Sequence, residues 1–75
     1  EPKSLISQFL FTDEAKKYLL QALSMEPENT KIISNLGYVA LKQGDPSLAA
    51  SYFQTVLEYD PDDKIAALEL QNLDV

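Results

Sequence analysis

Residues 33–61 read Ile33-Ser34-Asn35-Leu36-Gly37-Tyr38-Val39-Ala40, then Leu41-Lys42-Gln43-Gly44-Asp45-Pro46-Ser47, then Leu48-Ala49-Ala50-Ser51-Tyr52-Phe53-Gln54-Thr55-Val56-Leu57 and Glu58-Tyr59-Asp60-Pro61. Ile33, Leu36 and Ala40 fall at i, i+3 and i+7, the spacing of one helix face. Gly44 stops that helix, and Asp45-Pro46-Ser47 starts another. The Asp oxygen accepts orphan amide hydrogens, and Pro46 fits a first turn without losing a hydrogen bond. The second helix closes before Pro61. Inside the first helix stands Gly37, where glycine is about 1 kcal/mol worse than alanine. A sequence tolerates that when a neighbouring helix needs the room.

The stretch also has echoes at a fixed spacing. Ala15, Tyr18, Leu23 and Pro27 recur as Ala49, Tyr52, Leu57 and Pro61, and Leu36 recurs as Leu70, each 34 residues on. Similar pairs fill in between: Leu19 with Phe53, Ala22 with Val56, Glu26 with Asp60, Asn29 with Asp63. A period of 34 implies stacked helix pairs and a recognition surface rather than a catalytic pocket.

Ile33, Leu36-Gly37, Gly44-Asp45, Ala49, Phe53, Val56-Leu57 and Pro61 fall in the order and spacing of the tetratricopeptide consensus, and the chain resembles that family. Ile33 replaces its Trp, Ala40 its Tyr and Val56 one Ala; all three stay apolar. The resemblance implies an all-α fold of antiparallel helix pairs in a short right-handed solenoid of about five helices. It divides a single domain, 1–75, into a partial first repeat over 1–29, a complete repeat over 30–63, and a partial repeat or capping helix over 64–75. It also supplies the neighbour that Gly37 makes room for: Ala49 and Phe53 of the next helix.

Punctuation places the other helices. The first is expected over residues 3–10, with Leu5, Ile6, Phe9 and Leu10 at helical spacing. Thr12 or Asp13 caps the second, which Pro27 stops. Asn29 or Thr30 caps the third, and Asp63 caps the fifth, which carries Ala66, Ala67, Leu70 and Leu73. Joins this short make neighbours antiparallel. Both ends look apolar, at Leu5, Ile6, Phe9, Leu10 and Phe11 and at Ala67, Leu70 and Leu73, so each is expected to be covered by further repeats or another copy. A start at Glu1 without Met fits a piece of something longer.

Composition excludes several chemistries. The chain has 75 residues, near the lower limit for an adequate core. It contains neither Cys nor His, which removes disulfides, thiolate or imidazole metal sites, and Cys or His nucleophiles and bases. A net charge of −6 argues against nucleic acid, since phosphate binding needs clustered cations. No apolar run approaches a membrane span and nothing resembles a signal peptide, so the expectation is no membrane partner and a cytoplasmic setting. The acidic run Glu58, Asp60, Asp62, Asp63 does not make a calcium loop: counted from Asp60, Ile65 and Gln71 stand where Gly and Glu are needed. It reads as a solvated turn. No catalytic residue, cofactor or metal is expected, and the chain is not read as an enzyme.

Function then falls to the remaining faces. Lys31, Ser34, Asn35, Tyr38, Leu41 and Lys42 form a second stripe on the third helix, joined by Ile65, Leu68, Glu69 and Asn72 from the fifth. In the family this side lines a concave groove that holds a peptide. The stripe is expected to lie off the core. Its two lysines suit an acidic or amide-rich segment beside an apolar anchor. The alternative is that the lysines are merely solvated while Tyr38 and Leu41 pack on a neighbouring helix. Some co-chaperones of the family clamp a terminal carboxylate with Lys, Asn and Arg. Asn35 matches one clamp position, but Ile65 and Glu69 occupy the cationic ones, and Glu reverses the sign. The clamp is rejected. The sequence therefore points to a protein-interaction module that takes a peptide segment of another protein in its groove. The alternative is an assembly scaffold, a homo-oligomer included, pairing through exposed solenoid ends.

Overall fold

In a computed structural model of the protein, residues 13–73 are described. They form α1 (Asp13–Met25), α2 (Thr30–Lys42), α3 (Pro46–Tyr59) and α4 (Lys64–Leu73), with no strand among the described residues. The helix expected over residues 3–10, and Thr12 as an alternative cap, lie outside them.

The turn from α1 to α2 and the turn from α3 to α4 are built alike. Glu26 N–H donates to Ala22 O (3.0 Å), and 34 residues on Asp60 N–H donates to Val56 O (2.8 Å). Asn29 N–H reaches Glu26 O at 3.0 Å, as Asp63 N–H reaches Asp60 O at 3.1 Å. Ile32 N–H donates to Asn29 Oδ1 (3.3 Å) and Ala66 N–H to Asp63 Oδ1 (2.9 Å). Each side-chain oxygen satisfies an amide that the first helical turn leaves orphaned. The repeat is therefore present in the hydrogen bonds as well as in the residue types.

The α2–α3 junction is tighter. Gly44 has φ +81°, a left-handed conformation that favours glycine. Its N–H donates to Leu41 O (3.1 Å) and the next N–H, of Asp45, to Ala40 O (2.9 Å), a Schellman closure of α2. The Asp45 carboxylate in turn accepts Leu48 N–H at 3.1 Å and opens α3, with Pro46 in the first turn. Asp13 proves to be a helical residue of α1 rather than its cap. Its carboxylate accepts Gln43 Nε2 at 2.8 Å, which sets the start of α1 beside the end of α2 and makes the two antiparallel.

Packing is densest between α2 and α3. Ile33, Ala40, Ala49, Phe53, Val56 and Ala66 form one buried cluster, and the Phe53 side chain is wholly enclosed. Burying a side chain of that size contributes about 1.5–3 kcal/mol. Gly37 makes the approach possible. A Cβ on it would lie 2.7 Å from Phe53 Cζ and 2.9 Å from Cε2. Of the two residues expected against this glycine, Phe53 supplies the three nearest atoms. Val39 and Ala50 are also buried, outside the cluster around Phe53 and outside the expected stripe. Leu70 and Leu73, expected as an open end, are half-buried and pack against the core, while Ala67 is exposed.

Candidate functional site

The helical period sorts the exposed side chains of α2 and α4. On α2 the cap at Asn29 and the buried residues Ile33, Leu36, Gly37 and Ala40 fix the rotation of the helix. That leaves Lys31, Asn35 and Lys42 exposed and Ser34, Tyr38 and Leu41 half-buried. On α4 the cap at Asp63 and the burial of Ala66 do the same. Ile65, Leu68 and Asn72 are exposed, the first two at 61% and 56%, and Glu69 is half-buried.

Tyr38 joins the two helices. Its hydroxyl on α2 donates to the Glu69 carboxylate on α4. Partial burial raises the pKa of this phenol above the ordinary tyrosine value. The Glu69 charge, its hydrogen bond and the charge of Asp63 push it in the same direction. Tyr38 and Glu69 are therefore brought together, and both lie one helical turn or less from an exposed member of the stripe: Asn35 and Lys42 beside Tyr38, Ile65 and Leu68 beside Glu69. Beyond capping α4, Asp63 thus brings its charge to bear on this hydroxyl. The sequence carries no signal for that, because the link depends on how α4 is set against α2.

Tyr38 is not off the core. Its ring stands edge-on to Phe53, with centroids 5.3 Å apart and planes at 75°, and both Tyr38 and Leu41 pack against the buried cluster. The reason is the missing side chain at Gly37, which draws Phe53 close enough for its neighbour to meet the ring. Such a pair contributes about 0.5–1.5 kcal/mol beyond area burial. Tyr38 thus presents a fixed hydroxyl on an immobile ring, while the lysines and asparagines around it remain exposed.

A family model described as tetratricopeptide repeat matches residues 12–73. The chain belongs to the tetratricopeptide repeat family. Four helices in antiparallel succession, repeated turns and a glycine-seated aromatic are the tetratricopeptide arrangement. No curated protein matches the chain. Tetratricopeptide repeats are non-catalytic modules that generally mediate protein–protein interaction. No helix among the described residues is long and apolar enough to cross a membrane.

Proposed function

We propose that this tetratricopeptide chain binds a peptide segment of another protein across the surface shared by α2 and α4. In this reading Lys31, Ser34, Asn35, Tyr38, Leu41 and Lys42 form one wall. Ile65, Leu68, Glu69 and Asn72 form the other. Residues 30–63 act as the complete repeat, 1–29 as part of a preceding one and 64–75 as a partial repeat or cap. The observation that carries it is the Tyr38–Glu69 hydrogen bond, which ties the two walls beside exposed Ile65 and Leu68. A held surface with exposed aliphatic anchors and polar neighbours suits an extended or helical segment, since less ordering remains to be done on binding.

The test is an amide chemical-shift titration of the chain with a peptide selected on it from a displayed library. Shifts should gather at Asn35, Tyr38, Ile65, Leu68 and Asn72. A cluster at Lys17, Ser51 and Gln54 instead would defeat the groove.

Assembly through the solenoid ends is favoured by a different observation. Tyr18 and Met25 on α1 are 76% and 82% exposed. A concentration series in sedimentation velocity decides that reading: self-association lost in Tyr18→Lys supports it, and a monomer at every concentration ends it.

A further inference from the structure

The charge of the partner segment can be taken further, and this step rests on the groove reading above. Position by position at the period of 34, α2 and α4 present different chemistry to the shared surface: Lys31 against Ile65, Ser34 against Leu68, Asn35 against Glu69, Tyr38 against Asn72. The α2 wall is polar with a cationic rim. The α4 wall is aliphatic with a carboxylate at its middle.

That carboxylate is the best-placed charge on the surface. Glu69 is half-buried and receives the Tyr38 hydroxyl, whereas Lys31 and Lys42 are exposed. An ionised carboxylate has about four acceptor sites, and a single hydroxyl fills one of them. Asp63 adds a second negative charge within reach of the same hydroxyl. Ile65 lies one turn before Glu69 on α4 and Leu68 beside it, both exposed. The whole chain, at −6, draws cations toward this face and repels anions.

We infer that the segment this surface takes is cationic and aliphatic: an Arg or Lys that reaches Glu69, next to an Ile, Leu or Val that covers Ile65 and Leu68. This reverses the preference that Lys31 and Lys42 suggest from sequence. The reason is position. The lysines sit at the exposed rim, where charges steer encounter and add little affinity. A partly desolvated carboxylate already oriented by a hydrogen bond gives a stronger contact to a guanidinium or ammonium group.

A random peptide library displayed on phage and panned on the whole chain tests this. Enriched peptides should carry Arg or Lys beside an aliphatic residue. Their binding should be abolished by Leu68→Glu and weakened about tenfold by Glu69→Gln, the size expected for one charge-assisted contact. Glu69→Gln keeps an acceptor for Tyr38, so the wall stays in place while the charge goes; an unchanged thermal melt verifies that. Acidic peptides that are lost with Leu68→Glu yet indifferent to Glu69→Gln would overturn the charge assignment and leave the groove standing. Peptides indifferent to Leu68→Glu, or no enrichment at all, would bring down the groove reading and this inference with it.

Discussion

Asn29 and Asp63 open α2 and α4 with the same cap, yet α2 buries Ile33, Leu36, Gly37, Val39 and Ala40 while α4 buries Ala66 alone. The difference lies two turns beyond the cap. At the place in α2 where Gly37 admits the ring of Phe53, α4 carries Gln71, 34 residues on, and it is exposed. A long polar side chain there leaves no seat for an aromatic from another helix. Backbone punctuation repeats faithfully between the two copies, whereas the packing seat is made once.

The comparison can be broken most forcefully at the ring. Phe53→Ala should cost about 3–5 kcal/mol in urea denaturation, as truncations of buried aromatics do. Gln71→Ala should be within about 0.5 kcal/mol of the parent, as for most exposed substitutions. Equal effects at the two places would mean that α2 and α4 are not asymmetric in energy.

Gly37→Ala comes next. Its new Cβ would meet Phe53 at 2.7 Å, a contact with a ring that is itself enclosed, so a loss of about 1–3 kcal/mol is expected. At Gln71 the sign inverts: Gln71→Gly should lose up to about 1 kcal/mol from helix propensity. Pairing Gly37→Ala with Phe53→Leu should recover part of the loss, and strict additivity would show that the two residues do not interlock.

Most of the fold can be read from the chain because it is written in residues with local jobs. Asn29, Asp45 and Asp63 each accept the amides that a cap must accept, and Gly44 takes the positive φ that ends α2. Gly37 stands out because a mid-helix glycine needs a reason, and Phe53 supplies it. Val39 and Ala50 escape because periodicity finds one stripe at a time, and α2 and α3 each pack against two neighbouring helices. For the candidate site, the stripe on α2 and α4 can be drawn from spacing alone. The double engagement of Tyr38, edge-on to Phe53 and bonded to Glu69, cannot, since it joins residues from three helices.

The shared cap sets a smaller test. Asn29→Ala and Asp63→Ala should each cost about 1 kcal/mol, and by similar amounts, if the two turns are equivalent in energy as in geometry. A negligible loss at Asp63 alone would show that α4 is held by Ala66, Leu70 and Leu73 rather than by its start.

The smallest effect belongs to the link between the two helices. Tyr38→Phe keeps the ring against Phe53 and removes the hydroxyl donated to Glu69, a loss of about 0.5–1 kcal/mol for a partly exposed bond. It should also change the alkaline limb. Burial first, and then Glu69 and Asp63, raise the Tyr38 pKa in the folded state, so the unfolded chain releases this proton first. The stabilisation from the neutral phenol is complete below the ordinary tyrosine pKa of about 10 and is lost as pH rises through the folded value. Denaturation midpoints of the parent should therefore fall more steeply above that range than those of Tyr38→Phe. Parallel slopes would show that the hydroxyl does not couple α2 to α4.

At the α2–α3 hairpin, Asp45 spends its amide on closing one helix and its carboxylate on opening the next. There is no slack residue to absorb a change in length. One residue added inside the first turn of α3 would rotate everything after it by about 100°, swinging Phe53 out of the Gly37 seat and Tyr38 off its ring. The junction thus works as a phase lock. Substitutions can tune either helix, but insertions and deletions are confined to the outer turns around Pro27 and Pro61, where whole helices rather than the angle between paired ones would shift.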